Sequence, residues 1–502
     1  MQERLLDMFR MDLRLLGIFR ILVGFIALVD TINRTFDLTV FYTDDGLLPR
    51  KILLANEWYD WNFSLNMATG SYEGQMVLFG LTMFCAVMVM IGYRTKIFLI
   101  FLYILLISIQ VRNPQVTHGG DTIVKLIVFF AIFLPVNARY AVDKFTASSL
   151  PASGKVLSIA TIAYILQAIY IYVFSALSKT GAEWLDGSAV HYALGLEMFE
   201  KTLTPILTGM PKMMEFLTYY TYYFEKFGFL LLFIPFAWKY FRLVGVLLFM
   251  GLHFGFFLFM TLGNFPWAAI IMWLIIMPPM VGAFLENQGK KWGLYDRLTG
   301  ARNKFRQFLT KPFFNLEIQE RAYRKLGWIP SGVMALVAVA VLCWNLGNNN
   351  IINSPPFLKY VVRATATWQE WNMFAPFPMK SDGWLVMDAQ LKSGKHIDIL
   401  NDRDNIIYTK PDKVSTGFKN ERWQKYLINR ISKDNKNYLL AWGSYYCSCW
   451  NKENANTPKE LESFSIYFMK EITPPPGQPD PAANKTTVWN HWCKEEFRNR
   501  FE

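Results

Sequence analysis

Long apolar segments recur along the chain, and they constrain its fold more than any other feature. A helix that spans the hydrocarbon core of a bilayer needs about 20 mostly apolar residues. With 53% hydrophobic and only 18% charged residues, the composition is that of a membrane protein rather than of a soluble enzyme. We predict about nine transmembrane helices, with approximate cores at Leu15–Ile32, Glu73–Gly92, Ile97–Val111, Asp121–Val136, Val156–Leu177, Met213–Ala237, Leu243–Leu262, Phe265–Ala283 and Ile329–Leu346.

The distribution of positive charge predicts the orientation of these helices. The net charge of +12 is concentrated in alternate loops, above all in residues 285–327, which carry ten lysines and arginines. Cytoplasmic loops of membrane proteins are enriched in these residues, so we place the N-terminus in the cytoplasm. The same distribution argues against a nucleic-acid partner and for the lipid bilayer. Nine helices then place the C-terminal region outside the cytoplasm, and a bacterial inner membrane is the expected location.

The predicted fold class is an all-α polytopic membrane bundle with a small α+β extracytoplasmic C-terminal domain. Residues 1–283 form an eight-span bundle, residues 284–328 a basic cytoplasmic loop, residues 329–346 the ninth span and residues 347–502 the extracytoplasmic domain. The basic loop either lies along the anionic inner leaflet or is a solvated linker.

Alternating patterns predict the secondary structure of the C-terminal domain. Residues Trp384–Leu391 and His396–Leu400 flank Lys392-Ser393-Gly394 and predict a β-hairpin. A later strand is expected at Ser463–Met469 and a helix at Asn420–Ile431. The run Pro474-Pro475-Pro476 is expected to end regular structure before an irregular tail.

Three of the five cysteines fall in the predicted extracytoplasmic domain, where oxidation is permitted. Cys447, Cys449 and Cys493 can form one disulfide and leave one thiol over. We favour the pair Cys449 and Cys493. The pair Cys447 and Cys449 also resembles half a metal site, but no second cysteine pair supports it, so we predict a structural disulfide and no metal.

Lys179 is the leading candidate for a functional residue. It ends an apolar run, so it can lie half out of water, where loss of hydration disfavours its charged form and allows it to act as a base. The alternative is a lysine that reaches the headgroups and marks the end of a helix.

Other ionisable residues in the predicted spans are expensive to bury and are therefore site candidates. With the predicted orientation they suggest a polar chamber that opens outward, formed with Lys179 by Asp30, His118, Asp121, Lys125, Glu225 and His253. Asp121 and Lys125 are four residues apart, so they can form a pair that only locks helices. His253 alone is more typical of a hydrogen bond between helices. Arg20, near the inner side, is expected to be structural.

Several short motifs resemble the HTTM domain family, which is related to vitamin K-dependent gamma-carboxylase. The first are Ser178-Lys179, Ala182-Glu183-Trp184, Gly187 and, two spans later, Leu252-His253-Phe254. Further similarities cover nearly the whole chain and lie at residues 16–24, Arg112-Asn113-Pro114, Gly119-Gly120-Asp121, Phe133-Leu134-Pro135 and, at the start of the C-terminal domain, residues 371–376.

The resemblance implies that Lys179 deprotonates a reduced quinone of the vitamin K or menaquinone type. Oxygen then adds to the quinol anion, and the strong base that results removes a proton from a glutamyl side chain. The carbanion captures CO2, and the quinone leaves as an epoxide. The carboxylase histidine that assists this last step should fall in residues 135–140, where no histidine stands. The C-terminal region is also much shorter than that of the carboxylase, which does not support binding of a leader sequence.

We therefore expect a membrane protein that acts on a reduced quinone or another lipid-soluble substrate and modifies an extracytoplasmic protein or peptide. Its candidate catalytic residues are Lys179 and His253. The alternative is a non-enzymatic assembly or maturation factor that binds a peptide, lipid or partner protein. A transporter is disfavoured, because the charges cluster on one side without an inner counterpart except Arg20.

Overall fold

The structure, a computed structural model, describes residues 6–293, 297, 299–300, 303–304, 307, 322–432 and 435–494. Most of the predicted basic loop after residue 293 therefore lies outside the described residues. The α-helices up to the start of that loop are α1 Leu13–Thr35, α2 Leu38–Tyr42, α3 Arg50–Asn56, α4 Tyr72–Ile91, α5 Thr95–Arg112, α6 Gly119–Phe133, α7 Ile159–Ser178, α8 Ala182–Leu185, α9 Ala189–Leu194, α10 Thr204–Thr208, α11 Pro211–Phe227, α12 Trp238–Phe259, α13 Phe265–Leu274 and α14 Pro279–Lys291.

After the loop come α15 Trp328–Asn348 and the C-terminal domain, in which we describe helices α16 Pro356–Ala364, α17 Glu421–Ser432 and α18 Lys436–Asn454. The strands are β1 Met11–Asp12, β2 Lys155–Val156, β3 Ser381–Leu391, β4 His396–Asp398, β5 Leu461–Ile472 and β6 Asn484–Trp492.

The number of spans differs from the prediction. Six described helices are long and apolar enough to cross a membrane, namely α1, α4, α5, α7, α12 and α15, or seven if the bent pair α13 and α14 is one span. Helix α6 has only 15 residues. Helix α11 ends at Phe227 and continues as a short 3-10 helix to Phe233. Nine spans are therefore not confirmed, although a helix lies in each predicted segment.

Proline explains the bend in the predicted eighth span. Helices α13 and α14 meet at an angle of 102°, and Pro278 and Pro279 stand at the break. Each proline lacks the backbone N–H that a continuous helix would use. An apolar run of the right length is thus divided into two short helices, which hydropathy alone does not reveal.

Helix α1 packs most extensively on α4. The approach is close because Gly24 has no side chain: a Cβ there would lie 2.7 Å from the carbonyl oxygen of Ala86. At the N-terminus of α1, the side chain of Asp12 accepts the backbone N–H of Arg14 and caps the helix. Strands β1 and β2 pair there and hold the beginnings of α1 and α7 together.

The C-terminal domain contains a four-stranded antiparallel sheet in the order β4, β3, β5, β6. The predicted hairpin is confirmed, with Asp388 opposite Asp398, and so are the strand around residues 463–469 and the helix near 420–431. The predicted irregular tail is wrong, because β6 follows the proline run and pairs with β5. The prolines end β5 but leave enough chain for the next strand to return.

The predicted disulfide partner is also wrong. Cys493 is bonded to Cys447, and Cys449 is an exposed free thiol. Gly443 and Cys447 are four residues apart on α18 and share its sheet-facing side, where Gly443 contacts His491 of β6. Cys449, two positions further on, points about 200° away around the helix. Cys447 therefore lies on the side of α18 that faces Cys493, and which side of α18 faces the sheet was not predicted from the sequence.

A buried group of four charges, here called the ion cluster, attaches the C-terminal domain to the bundle. Arg422 of α17 donates to Asp30 at 2.7 Å and to Asp121 at 2.5 Å. Arg34 donates to the same two carboxylates, at 2.8 Å and 2.5 Å. Two arginines and two aspartates balance in charge, and all four side chains are buried. This balance makes burial of the charges tolerable where water cannot solvate them.

Loss of Arg422 should loosen this attachment. In Arg422→Ala the two aspartates keep only one arginine, and breaking a buried pair in this way typically costs about 3–5 kcal/mol. We expect a large fall in the thermal unfolding temperature of the protein in lipid nanodiscs.

The matched control for this substitution is Lys419→Ala. Lys419 also joins the C-terminal domain to the bundle, through Asp37 at 3.0 Å, but its side chain is 66% exposed. Because Lys419 is solvent-exposed and Asp37 keeps its hydrogen bonds from Asn420 and Trp423, we expect a loss below about 1 kcal/mol. Equal losses in the two variants would contradict a special role for the ion cluster.

The disulfide assignment predicts the pattern of thiol labelling. With a membrane-impermeant maleimide, the folded protein should label at Cys449, and Cys449→Ser should lose that label. Cys447→Ser should instead gain a second reactive thiol at Cys493. Unchanged labelling in Cys449→Ser would show that another cysteine is free.

Candidate functional site

Lys179 lies directly after the last residue of α7, and its ammonium group is fully enclosed. Its Nζ donates to the carboxylate of Glu225 on α11 at 2.5 Å and to Oγ of Ser175, one turn earlier on α7, at 2.6 Å. The side chains of Lys179 and Glu225 are only 2% and 7% exposed. The pair is therefore shielded from bulk water.

The C-terminal domain covers this pair. Nζ of Lys179 lies 5.0 Å from the ring centroid of Trp184, and the indole N–H of Trp184 donates to the carbonyl oxygen of Phe374 at 3.2 Å. The backbone N–H of Gly181 donates to the carbonyl oxygen of Pro376 at 2.9 Å. Residues 374–376 thus hold the loop after α7 closed over the lysine.

A second polar contact lies deeper on the same side of α7. Tyr172, Ser175 and Lys179 are spaced by three and four residues, so they share one helical face. The hydroxyl group of Tyr172 lies 2.5 Å from Nε2 of His253 on α12. Seven residues of helix separate Tyr172 from Lys179 by about 10 Å along the axis. We call Tyr172, Ser175, Lys179, Glu225 and His253 the polar column.

Comparison with known proteins assigns the chain to a family. The family model of the HTTM domain matches residues 9–280, which is more than half of the chain. The chain belongs to the HTTM family. This family is related to vitamin K-dependent gamma-carboxylase. None of the curated proteins or solved structures compared matches the chain. The matched range contains the whole polar column and ends before the C-terminal domain.

The predicted chamber of this HTTM protein divides into separate places. Glu225 and His253 join Lys179 in the polar column, whereas Asp30 and Asp121 belong to the ion cluster. His118 caps α6 beside them, where its Nδ1 accepts the N–H of Gly120. The chamber expected from the sequence is therefore divided into two groups, each with its own partners, and Lys125 belongs to neither of them.

Burial lowers the pKa of His118 to about 4, although the charge of Asp121 acts to raise it. The imidazole is therefore neutral at neutral pH. A neutral ring suits its role as an acceptor at the start of α6, because a protonated ring would have no lone pair for the N–H of Gly120.

Asp121 and Lys125 do not form the ion pair that their spacing of four residues would allow. Asp121 bonds to Arg34 and Arg422, while Nζ of Lys125 donates to the carbonyl oxygen of Trp368 at 3.2 Å. It also lies 3.9 Å from the ring centroid of Trp368. Two arginines offer Asp121 stronger, forked hydrogen bonds than one lysine does.

Sequence reasoning missed residues that complete both groups. Ser175 could have been found, because it stands one helical turn before Lys179. Tyr172 lacked such a signal, since a tyrosine in an apolar helix is usually part of the core. Arg422 lies 301 positions from Asp121, and no local pattern connects residues so far apart.

All five residues of the polar column are buried, none of them more than 5% exposed. The polar column of this HTTM protein is therefore enclosed by protein rather than open to water. Among the described residues, no group of three or more His, Cys, Asp or Glu side chains is placed to hold a metal ion. Within the column, acid–base side chains lie within hydrogen-bond distance of each other, at Lys179 with Glu225 and at Tyr172 with His253.

The buried pair should appear as coupling in a double-mutant cycle. In Lys179→Met or Glu225→Leu, one polar partner is left buried alone, which typically costs about 3–5 kcal/mol. The double variant Lys179→Met/Glu225→Leu should lose less stability than the sum of the two single losses. Thermal unfolding in nanodiscs measures all four proteins, and strictly additive losses would contradict a direct interaction.

Proposed function

We propose that this HTTM protein is a membrane enzyme in which Lys179, held by Glu225, acts as a base towards a reduced quinone of the vitamin K or menaquinone type. In this proposal the resulting chemistry modifies an extracytoplasmic protein or peptide. The single observation that supports it best is the enclosed contact between Nζ of Lys179 and Glu225 at 2.5 Å.

The contact gives Lys179 a route to the unprotonated state. A buried environment disfavours separated charges. Moving one proton from Nζ to the carboxylate converts the ion pair into a neutral amine and a neutral acid. The amine can then accept a proton from an acidic hydroxyl group, and Ser175 keeps the nitrogen in place through its hydrogen bond.

The aromatic rings near Nζ of Lys179 are of the kind that a flat aromatic substrate can stack against. Trp184 faces the lysine and stacks with Tyr222, with ring centroids 6.4 Å apart. When bound, a reduced quinone would supply the acidic hydroxyl group and the electrons for reaction with O2. Residues 374–376 bond to the loop that covers Lys179, and a covered site favours proton transfer between buried groups.

The proposal stops before carboxylation with CO2. The carboxylase histidine has no counterpart in residues 135–140 of this chain. His253 does not replace it in this account, because its Nε2 is engaged by Tyr172. Modification of a partner is therefore proposed without a carboxyl transfer step.

We place the modified partner on the side of the C-terminal domain, outside the cytoplasm. The disulfide between Cys447 and Cys493 supports this placement, since disulfides persist in oxidising compartments. The positive residues of the loop after α14 support a cytoplasmic position for the opposite side. A bacterial inner membrane satisfies both conditions.

The closed packing favours a second candidate function, that of a non-enzymatic assembly or maturation factor. Lys179 and Glu225 are both buried. In this alternative the pair only holds α7 to α11, and the C-terminal domain makes the contact with a peptide, lipid or partner protein.

Quinol-dependent oxygen uptake and quinone-epoxide formation separate the two candidates. The purified protein in nanodiscs should consume O2 and form epoxide when reduced menaquinone or vitamin K is supplied. Lys179→Arg should abolish both, because arginine keeps the charge and can still pair with Glu225 but cannot serve as a base near neutral pH.

The matched control is Lys125→Arg, since Lys125 is an equally buried lysine outside the polar column. This variant should retain epoxide formation. No epoxide with any quinol, or full activity in Lys179→Arg, would contradict the enzymatic proposal and favour the assembly factor.

A further inference from the structure

Tyr172, His253 and Trp273 form a buried triad that the proposed base chemistry does not use. The three side chains come from α7, α12 and α13, and none is more than 3% exposed. The indole N–H of Trp273 donates to the hydroxyl oxygen of Tyr172 at 2.7 Å. The same hydroxyl group lies 2.5 Å from Nε2 of His253.

The direction of the hydrogen bonds follows from the chemistry of the groups. An indole can only donate, so the oxygen of Tyr172 is the acceptor in its bond with Trp273. Among the described residues, the hydroxyl proton of Tyr172 has one acceptor, Nε2 of His253. In this arrangement Nε2 carries no proton, and the ring proton is on Nδ1, which has no hydrogen-bond partner among the described residues.

We propose that Tyr172 is a redox-active tyrosine that gives up an electron and its proton together, with His253 as the proton acceptor. The oxidant is a one-electron oxidant of the bilayer, of the lipid peroxyl radical class. The O–H bond of Tyr172 breaks, its electron reduces the peroxyl radical to a hydroperoxide anion, and its proton bonds to Nε2. The products are a phenoxyl radical, an imidazolium and a hydroperoxide anion that takes a proton from interfacial water.

Burial explains why the histidine is required. Removing an electron alone would leave a positive charge on the phenol ring in an apolar interior, which is costly. Moving the proton across 2.5 Å transfers that charge to an imidazole, which holds it far better. Before oxidation the proton stays on the phenol, because a buried imidazolium beside a phenolate would be unfavourable.

A series of aromatic rings connects Tyr172 with the outside of the bundle. Phe249 lies 4.5 Å from Tyr172 and 4.4 Å from Phe224, and Phe224 lies 5.1 Å from Tyr220, measured between ring centroids. Tyr220 stacks on Phe216, which is 61% exposed. Each ring thus packs against the next, and this continuous packing is a path through which an electron can tunnel towards the surface, with no phenylalanine ring being oxidised.

Tyr164 is a natural control on the same helix. It is also buried, but its hydroxyl group donates to the backbone carbonyl of Met272 at 2.8 Å. A carbonyl oxygen accepts a hydrogen bond but is too weak a base to take the proton. Tyr164 should therefore resist oxidation although its burial is the same.

The test uses the full chain in aerated nanodiscs with a lipid-soluble azo initiator, which produces peroxyl radicals. Samples frozen during the reaction should show a tyrosyl radical by electron paramagnetic resonance. Tyr172→Phe should lose this signal, Tyr164→Phe should keep it, and His253→Gln, which accepts a hydrogen bond but not a proton, should reduce it several-fold.

A labelling experiment tests the same proposal without substitution. In protein grown with ¹⁵N-histidine, the radical should show a histidine nitrogen coupling, because the hydrogen bond from Tyr172 is the one described between a tyrosine hydroxyl group and a histidine ring. A signal that survives Tyr172→Phe, or a radical without histidine coupling, would overturn the proposal and leave the triad as a tie between three helices. Neither result depends on quinol oxidation, so the proposed enzymatic function is tested separately.

Discussion

The structure depends on the pairing of charges that cannot reach water. Four charged side chains meet at the end of α1, and three of them, Asp30, Arg34 and Asp121, come from the bundle. Without Arg422 the bundle would bury one uncompensated negative charge there, which is expensive in a low-dielectric interior. The C-terminal domain is therefore a partner in the electrostatics of the bundle rather than an appendage.

The attachment of the C-terminal domain also encloses the polar column. Because α17 is anchored at the ion cluster, the chain that precedes it is held against the same end of the bundle. Residues 374–376 then bond to Gly181 and Trp184 and enclose Lys179. The charge of Lys179 is compensated in turn by Glu225 of another helix. The two groups are thus separate in their contacts but coupled through the position of one domain.

Sequence reasoning found the elements that depend on local patterns. Hydropathy located a helix in every predicted span, and alternation located the hairpin of β3 and β4. It could not distinguish a long span from two short helices at Pro278 and Pro279, because apolar content is the same in both. It chose Cys449 over Cys447, since the helical phase of α18 was not evident from the residues.

The candidate site shows the same division between local and distant information. Lys179, Glu225 and His253 were found because charged or ionisable groups are rare in apolar segments. The partners Tyr172 and Trp273 were missed because aromatic residues are common in such segments. The pairing of Asp121 with Arg422 rather than with Lys125 is a tertiary choice, which no spacing rule contains.

The central claim is that a lipid-soluble quinol reaches the lysine of the polar column. Photoaffinity labelling with a reduced azido-naphthoquinone in nanodiscs, followed by mass spectrometry, tests it most directly. The account predicts labelled residues on α7, α8 and α11 around Lys179, and loss of that label when unmodified menaquinol is added in excess. Labelling confined to lipid-facing positions elsewhere, or labelling that excess menaquinol does not reduce, would contradict it.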